Sequence, residues 1–241
     1  MSDALLDDPA RAAVVASVAS RLKPGMTLGL GSGRAVWALL EVLGTRWAGQ
    51  PTRVVVASSA TEARAAEAGF EVVSLDGTVV LDVVVDGADQ VDPELNLIKG
   101  HGAALLREKL VVAAAKRFLV VAERAKLVDR LGEGTLLPVE VIRFAWPETR
   151  RRLLAIVPEA VLRHGPDGDP LVTDEGHHIL DCTVPAGHDL MELAAAIKAT
   201  LGVVEHGLFL GMADEVLLGS PDGRVQTLSS RRGSRRRGSR R

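Results

Sequence analysis

The chain has 241 residues, of which 47% are hydrophobic and 25% charged, so it is long enough to bury one large core or two small ones. Its single cysteine excludes an internal disulfide, and its N-terminal segment has acids where a secretory signal has bases and an apolar run. No apolar run approaches the roughly 20 residues that span a bilayer. We therefore expect a cytoplasmic globular protein that does not span a membrane.

The net charge of −2 hides an uneven distribution, because seven arginines lie in the last eleven residues and the rest of the chain is acidic. Residues 229–241 contain no apolar side chain that could pack, so we predict a disordered tail. A basic tail can bind nucleic acid through phosphates. The remaining chain has no basic stripe with interleaved aromatic residues, so nucleic-acid binding is the weaker interpretation.

The first half of the chain alternates between helical and strand patterns. Apolar residues at helical spacing predict helices, and short valine-rich runs between turn residues predict buried strands. The predicted order is helix Arg11–Leu22, strand Met26–Leu30, helix Ala35–Leu43, strand Val54–Ala57, helix Thr61–Ala68, strands Glu71–Ser74 and Val79–Val85, helix Ala103–Ala115 and strand Phe118–Val121. This alternation predicts an α/β fold, a Rossmann-like domain whose parallel sheet has helices on both faces.

After Gly134 the pattern changes to a βαββαβ order, which predicts a smaller, ferredoxin-like α/β domain. Its predicted elements are strand Pro138–Ile142, helix Glu148–Leu162, strands Leu171–Thr173 and Ile179–Val184, helix Leu190–Leu201 and strand Val203–Phe209. The next segment, Ala213–Leu218, is predicted to rejoin the first sheet. We therefore assign residues 1–133 and 208–228 to the Rossmann-like domain, 134–207 to the small domain, and 229–241 to the tail.

A glycine-rich loop, Gly29 to Ala35, lies between a predicted strand and a predicted helix. Glycines allow close backbone approach, and a helix N-terminus offers free N–H groups, so the loop suits a phosphate. A dinucleotide site is disfavoured, because the third glycine of its fingerprint would fall at Arg34. A glycine turn that only permits tight packing is the alternative, but Arg34 at a helix start opposes the helix dipole unless an anion is nearby.

Four ionisable residues between positions 86 and 108 form the second candidate site. Asp86 and Asp89 follow a predicted strand, at the sheet edge where open α/β folds bind ligands, although aspartate in a turn can also serve local hydrogen bonding. Lys99 lies in a glycine-containing loop. Glu108 has only apolar neighbours three and four residues away on its predicted helix. Burial would raise its pKa towards the range of a general base, whereas a buried ion pair is the alternative explanation.

Metal and nucleophile chemistry find little support in the sequence. The six histidines are scattered, and neither an H-E-x-x-H nor a C-x-x-C spacing occurs, so no metal site is predicted. Ser58 and Ser59 lack a G-x-S-x-G setting, and Cys182 falls in a predicted strand of the small domain. A nucleophilic triad is therefore not indicated.

The segment VDGADQVDPELNLIKGHGAALLREKLV, residues 85–111, closely resembles the signature of the ribose-5-phosphate isomerase A family. The resemblance extends over nearly all of residues 11–228, including GLGSGRA at 29–35 and the segments 58–62, 125–126, 137–141 and 172–181. It implies an α/β domain with a smaller α/β lid, a homodimer or homotetramer, and no cofactor. The implied reaction interconverts ribose 5-phosphate and ribulose 5-phosphate.

The resemblance also implies a role for each matching residue. Glu108 would move a proton between C2 and C1 through an enediolate, and Lys99 would face the developing oxyanion. Asp86 and Asp89 would hold sugar hydroxyls and assist ring opening. The implied substrate- and phosphate-binding residues are Ser32, Gly33, Arg34, Ala35, Gly87, Ala88, Gly100, His101, Gly102, Lys126 and Arg11.

The glycine loop departs from the family pattern, because Arg34 and Ala35 stand where two hydroxyl side chains are usual. Arg34 could replace those hydrogen bonds with a charge-assisted pair to the phosphate. Two alternatives stay open on this basis. One is an isomerase of another aldose phosphate, and the other is a non-catalytic sugar-phosphate sensor.

Overall fold

A computed structural model describes residues 3–230 of the chain. In chain order, the elements are α1 (Asp3–Leu6), α2 (Pro9–Ala19), β1 (Leu28–Leu30), α3 (Arg34–Arg46), β2 (Arg53–Val56), α4 (Ser59–Glu67), β3 (Glu71–Val72), β4 (Val83–Gly87), β5 (Gln90–Val91), β6 (Leu97–Ile98), α5 (Leu105–Ala113), β7 (Phe118–Glu123), a 3₁₀ turn (Arg124–Lys126), β8 (Leu137–Val141), α6 (Trp146–Leu153), β9 (Ala160–Leu162), β10 (His178–Cys182), α7 (Leu190–Lys198), β11 (Val203–His206), β12 (Leu208–Phe209), β13 (Glu215–Gly219) and β14 (Val225–Ser229). No helix among these residues is long and apolar enough to cross a membrane.

The largest sheet has seven strands in the order β14-β13-β7-β4-β1-β2-β3. Neighbouring strands run parallel except for the antiparallel pair of β13 and β14. The chain adds β2 and β3 on one side of β1 and then crosses to add β4 and β7 on the other side. This reversal places a topological switch point between β1 and β4, where sheets of this kind bind ligands at the carboxyl ends of the strands.

Alternating residues of the central strands pack on opposite faces of this sheet. In β4, Val83 and Val85 belong to a buried cluster with residues of α2 and α3, whereas Val84 packs in a second cluster with Val111 and Val112 of α5. Helices therefore cover both faces, and the predicted Rossmann-like arrangement is confirmed. The predicted return of the chain after Ala213 is also confirmed, because β13 pairs with β7.

A second sheet has four antiparallel strands in the order β11-β8-β10-β9. With α6 and α7, these strands follow one another along the chain as strand, helix, strand, strand, helix, strand, as predicted for a ferredoxin-like unit. Leu153 of α6 and Ile197 of α7 pack in one buried cluster with Val139 and Leu180 of the sheet. The predicted βαββαβ order is therefore confirmed.

Two predictions within this unit are wrong. The predicted helix Glu148–Leu162 ends at Leu153, and its last three residues form β9 instead. Pro158 accounts for the break, since proline lacks the N–H of a helix interior and disfavours helical backbone in the residue before it. The predicted strand Leu171–Thr173 is a loop that leads into a turn, in which the Thr173 N–H donates to the His177 carbonyl over 2.9 Å.

The predicted strand Val203–Phe209 is divided between two sheets at Gly207. β11 belongs to the four-stranded sheet, whereas β12 pairs with β6 in a three-stranded sheet of order β12-β6-β5. The Gly207 carbonyl accepts a hydrogen bond from the Lys99 N–H at 2.9 Å. A Cβ at Gly207 would lie 2.1 Å from the Lys99 carbonyl oxygen, so this close approach requires glycine.

The C-terminal prediction is only partly within the described residues. β14 extends to Ser229, the first residue assigned to the tail, and pairs along its length with β13. The rest of the arginine-rich segment, residues 231–241, lies outside the described residues.

Candidate active site

A cleft of about 490 Å³ opens at the carboxyl ends of β1 and β4. Its lining includes most of the residues singled out in the sequence, namely Arg11, Ser32, Gly33, Arg34, Ala35, Gly87, Ala88, Asp89, Lys99, Gly100, Gly102, Glu108 and Lys126. Asp86 and His101 do not line it. The two candidate sites of the sequence, the glycine loop and the ionisable group, therefore share one cleft at the switch point of the sheet.

Lys99 is the centre of a buried ionic group. Its Nζ lies 2.8 Å from Asp86 Oδ2 and 3.1 Å from Glu108 Oε2, and it donates to the Gly87 carbonyl over 2.7 Å. The Lys99 and Glu108 side chains are only 3% and 5% exposed. Buried charges require such compensation, so the two carboxylates depend on the Lys99 cation for their ionisation, and Lys99 depends on them.

Asp86 is held in place by the glycine loop. Its Oδ1 accepts hydrogen bonds from the N–H groups of Ser32, at 3.2 Å, and Gly87, at 2.7 Å. A Cβ at Gly31 would lie 1.8 Å from the Asp86 Cγ. At least one glycine of the loop is therefore needed to admit this carboxylate, in addition to any role in binding a ligand.

Glu108 reaches the cleft from the first turn of α5. Leu105, Val111 and Val112 of the same helix are buried and fix the face that packs on the sheet. The preceding turn has Gly100 at φ 108° and Ala103 at φ 61°. Left-handed backbone is unusual for alanine, and such strain is common at functional sites, where the surrounding structure imposes it.

Burial and neighbouring charges set the ionisation of this group. Burial raises the pKa of Glu108 to about 7, the charges of Asp86 and Asp89 add to the increase, and Lys99 opposes it. Burial also raises the pKa of Asp86 against the effect of Lys99. Burial disfavours the Lys99 ammonium, but the charges of Asp86 and Glu108 outweigh that effect and raise the pKa of Lys99. Near neutral pH, Lys99 is thus a cation beside a carboxylate that can bind and release a proton.

A proton-accepting Glu108 predicts the pH dependence of turnover. If Glu108 must be ionised to act as a base, kcat/KM should rise with pH through an acidic limb near pH 7, its pKa in the cleft. Asp89 raises that pKa, so Asp89→Asn should move the limb to lower pH even though the maximal rate also changes. Initial rates from pH 4 to 9 measure the limb, and an unmoved limb in Asp89→Asn would contradict the assignment.

The side of the cleft formed by the glycine loop is suited to an anion. Gly33, at φ 103°, begins α3 without a side-chain cap, so the first N–H groups of this helix are available to a ligand. Arg34 is exposed at the same helix start, and Lys126 lines the cleft from the 3₁₀ turn. Arg11 lines the cleft as well, but its guanidinium donates to the Leu5 carbonyl over 2.8 Å.

His101 contacts the site indirectly. Its backbone N–H donates to Asp89 Oδ2 over 3.0 Å, and its ring Nδ1 lies 3.5 Å from Asp89 Oδ1. The ring Nε2 faces the Thr135 hydroxyl, at 3.2 Å. His101 thus orients Asp89 rather than lining the cleft.

Sequence reasoning missed several lining residues. Ser58 caps α4, and its hydroxyl lies 3.2 Å from that of Ser32. Asp174 accepts hydrogen bonds from the Ser59 N–H, at 2.8 Å, and from Arg107, at 3.2 Å. The motif segments 58–62 and 172–181 contain these residues, but their spacing does not show that they meet. The turn at Asp174 joins the ferredoxin-like unit to α4 and α5 at the rim of the cleft.

The described residues include no group of three or more histidine, cysteine, aspartate or glutamate side chains arranged to hold a metal ion. The chemistry available in the cleft is that of a carboxylate with a raised pKa, a lysine cation and an anion-binding helix start. A carboxylate base beside a fixed cation suits proton transfer next to a carbonyl group. These features together suit an aldose-ketose isomerase that acts on a phosphorylated sugar.

Comparisons with known proteins agree with this class and narrow it. The family model of ribose 5-phosphate isomerase A (phosphoriboisomerase A) matches residues 53–223. The ribose-5-phosphate isomerase A of Roseiflexus sp. (strain RS-1) is 48% identical over 208 residues, which cover 85% of this chain and 89% of the relative. The chain therefore belongs to the ribose-5-phosphate isomerase A family, whose members interconvert ribose 5-phosphate and ribulose 5-phosphate.

Solved structures give the same result. Ribose 5-phosphate isomerase A from Methanocaldococcus jannaschii superposes with a TM-score of 0.86 and 33% identity, covering 93% of this chain and 100% of that one. A D-ribose-5-phosphate isomerase in complex with phospho-erythronic acid superposes with a TM-score of 0.85 and 34% identity, covering 91% and 97%. The family and fold predictions are confirmed, and the two alternative functions find no support in these comparisons.

Proposed function

We propose that this chain interconverts ribose 5-phosphate and ribulose 5-phosphate through an enediolate, with Glu108 as the proton-transfer base. The observation that supports this most directly is the buried contact of 3.1 Å between Glu108 Oε2 and Lys99 Nζ on the wall of the cleft. A base and a cation at this separation can act on a carbon and on the neighbouring oxygen of one substrate.

In this mechanism, Glu108 removes the proton from C2 of the open-chain aldose and returns a proton to C1, while the proton of the C2 hydroxyl passes to the C1 oxygen and leaves a carbonyl at C2. One carboxylate serves both carbons because they are adjacent. The Lys99 ammonium stabilises the negative charge that develops on the oxygen. A base with a pKa of about 7 can both accept and donate the proton near neutral pH, which the return step requires.

The two aspartates have separate roles in this proposal. Asp86 is fully buried and pairs with Lys99, so it keeps that lysine charged and aimed at the substrate. Asp89 lines the cleft and has its carboxylate fixed by the His101 N–H at 3.0 Å, so it binds sugar hydroxyls and assists ring opening. The backbone of Gly87, Ala88, Gly100 and Gly102 forms the adjoining wall.

The phosphate is proposed to bind at the start of α3, against Ser32 to Ala35 and near Lys126. Support comes from the uncapped helix start, whose free N–H groups suit a phosphate. Arg34 takes the place of hydroxyl side chains here and supplies a charge-assisted contact. Arg11 links α2 to α1 through its hydrogen bond to the Leu5 carbonyl and supplies positive charge to the cleft.

Replacing Arg34 by alanine tests this phosphate site. We expect the KM for ribose 5-phosphate to rise about tenfold or more, because a charge-assisted hydrogen bond contributes roughly 1.5–3 kcal/mol. The kcat should change less than about threefold, since Arg34 is remote from the Glu108–Lys99 pair in this proposal. Arg151→Ala removes an exposed arginine on α6 and serves as the control. Equal KM values for the two variants would contradict the assignment.

Three broader proposals concern the whole protein. Residues 134–207 act as a lid, supported by the contact of Asp174 with Ser59 across the cleft rim. The chain forms a homodimer or homotetramer, supported by the exposed Phe144 (85%) and Leu201 (75%) of the ferredoxin-like unit. A cytoplasmic location stays a prediction, consistent with a phosphorylated sugar as substrate.

A direct assay in D₂O tests the proposed reaction. Purified protein should convert ribose 5-phosphate to ribulose 5-phosphate at the same rate with and without a chelator. The product should acquire deuterium at C1, since the proton on Glu108 exchanges with solvent during the enediolate stage. Deuterium at C1 would exclude direct hydride transfer between C2 and C1, which involves no exchangeable proton, and failure to convert ribose 5-phosphate would overturn the proposed function.

A further inference from the structure

The segment 205–209, at the junction of β11 and β12, lies directly behind the proposed catalytic pair. The Gly207 carbonyl fixes the backbone of Lys99 over 2.9 Å. The ring of Phe209 is fully buried, and the Lys99 Nζ lies 5.4 Å from its centroid. An ammonium within about 6 Å of an aromatic face is attracted to it. The segment therefore contacts Lys99 through both its backbone and an aromatic side chain.

The same segment also binds Lys109, the residue that follows Glu108 on α5. The Nζ of Lys109 donates to Glu205 Oε1 over 2.8 Å and to the His206 carbonyl over 2.6 Å. It also lies 4.8 Å from the Phe209 ring centroid. The Lys109 side chain is 16% exposed and does not line the cleft, so it has no direct contact with a substrate.

We propose that Lys109 is a positioning residue, which fixes α5 against segment 205–209 and thereby keeps the Glu108 carboxylate beside Lys99. Glu108 and Lys109 are consecutive on one helix, and Lys99 is bonded to the segment that binds Lys109. A shift of α5 along this segment therefore changes the separation of Glu108 from Lys99. The inference rests on the proposed roles of Glu108 and Lys99.

The chain offers a matched control for this proposal in Lys198 on α7. Its Nζ binds the other carboxylate oxygen of Glu205, Oε2, at 2.9 Å, and it donates its other hydrogen bond to the Val204 carbonyl rather than to α5. Lys109→Met and Lys198→Met thus each remove one cation from the same glutamate. Only the first removes the link to the helix that carries Glu108.

We expect Lys109→Met to lower kcat about 10- to 100-fold, because small displacements of catalytic groups have effects of this size. The KM for ribose 5-phosphate should stay within about threefold. The acidic limb of kcat/KM should move to higher pH, since Lys99 holds the pKa of Glu108 down and the variant loosens their contact. Lys109→Arg should recover part of the loss, and Lys198→Met should match the unmodified protein.

Two outcomes would overturn the proposal. The first is that Lys109→Met has the same kcat, and the same acidic limb of kcat/KM, as Lys198→Met. The other is a loss of kcat that follows only the fraction of folded protein, measured by circular dichroism, with the limb unmoved. If Lys109→Met does not fold, Glu205→Gln compared with Lys198→Met makes the same test. Failure of the proposed function can be told apart from failure of the Lys109 proposal, because Glu108→Gln would then retain turnover.

Discussion

Replacing Glu108 with glutamine should lower the kcat for ribose 5-phosphate by about 10²- to 10⁴-fold, the range that positioned general bases contribute. Glutamine has the shape of the carboxylate but cannot accept the proton. Binding should change little, because the phosphate and hydroxyl contacts of the proposed site remain. Turnover by coupled assay and affinity for phospho-erythronic acid by calorimetry measure the two effects separately. Full turnover in this variant would disprove the proposed base.

Glu192 supplies the control for this substitution. It lies in the first turn of α7, is exposed, and does not line the cleft. Glu192→Gln should therefore leave kcat and KM unchanged. Loss of activity in both variants to the same extent would indicate a general effect of removing a helical glutamate.

The unfolding free energy of Glu108→Gln gives an independent test of the raised pKa of Glu108. In the folded protein the pKa of Glu108 is raised from 4.5 to about 7, so folding favours the protonated form. This contribution to the unfolding free energy is present below about pH 4.5 and is lost as pH rises through about 7. The unmodified protein should therefore lose stability relative to Glu108→Gln over this window, as measured by urea unfolding at several pH values.

Replacing Lys99 with methionine should lower the unfolding free energy by about 3–5 kcal/mol, because it leaves buried carboxylates without their cation. Activity should also fall, since no charge then faces the developing oxyanion. Lys99 lowers the pKa of both Asp86 and Glu108, so both pKa values should rise further in the folded variant. The destabilisation should thus be small below about pH 4 and should grow as pH rises.

The exposed ion pair of Lys116 with Asp82 is the reference for this effect. Its nitrogen and oxygen lie 2.8 Å apart, close to the separation of Lys99 and Asp86, but the Lys116 side chain is 61% exposed. Such pairs contribute about 0–1 kcal/mol. A similar loss of stability in Lys99→Met and Lys116→Met, measured by urea unfolding at pH 7, would show that the buried group is not energetically special.

Local patterns predicted most of the elements, and the failures have identifiable causes. Strands of the parallel sheet were found because their short valine runs are buried on both faces. The two-residue strands β5 and β6 are too short for any periodicity to show, and β12 is predicted only as the end of strand Val203–Phe209. The residues of β9 were assigned to a helix because the apolar spacing continues beyond Leu153, although Pro158 prevents that helix from continuing.

The sequence by itself determined the family, the α/β class and the chemical identity of the proposed site. Glycines, two aspartates, a lysine and a glutamate occur there in a characteristic order, and the apolar neighbours of Glu108 already indicated a buried carboxylate. These properties depend on residues close together along the chain. For that reason, spacing and helical periodicity are sufficient to find them.

Only the tertiary structure decided how these residues are held. Ser59 and Asp174, 115 positions apart, meet at the rim of the cleft, and Lys109 reaches Glu205 across 96 positions. No periodicity connects such residues, because their approach depends on how two sheets and their helices pack. The raised pKa of Glu108 has the same origin, since it depends on burial and on the distances to Lys99, Asp86 and Asp89.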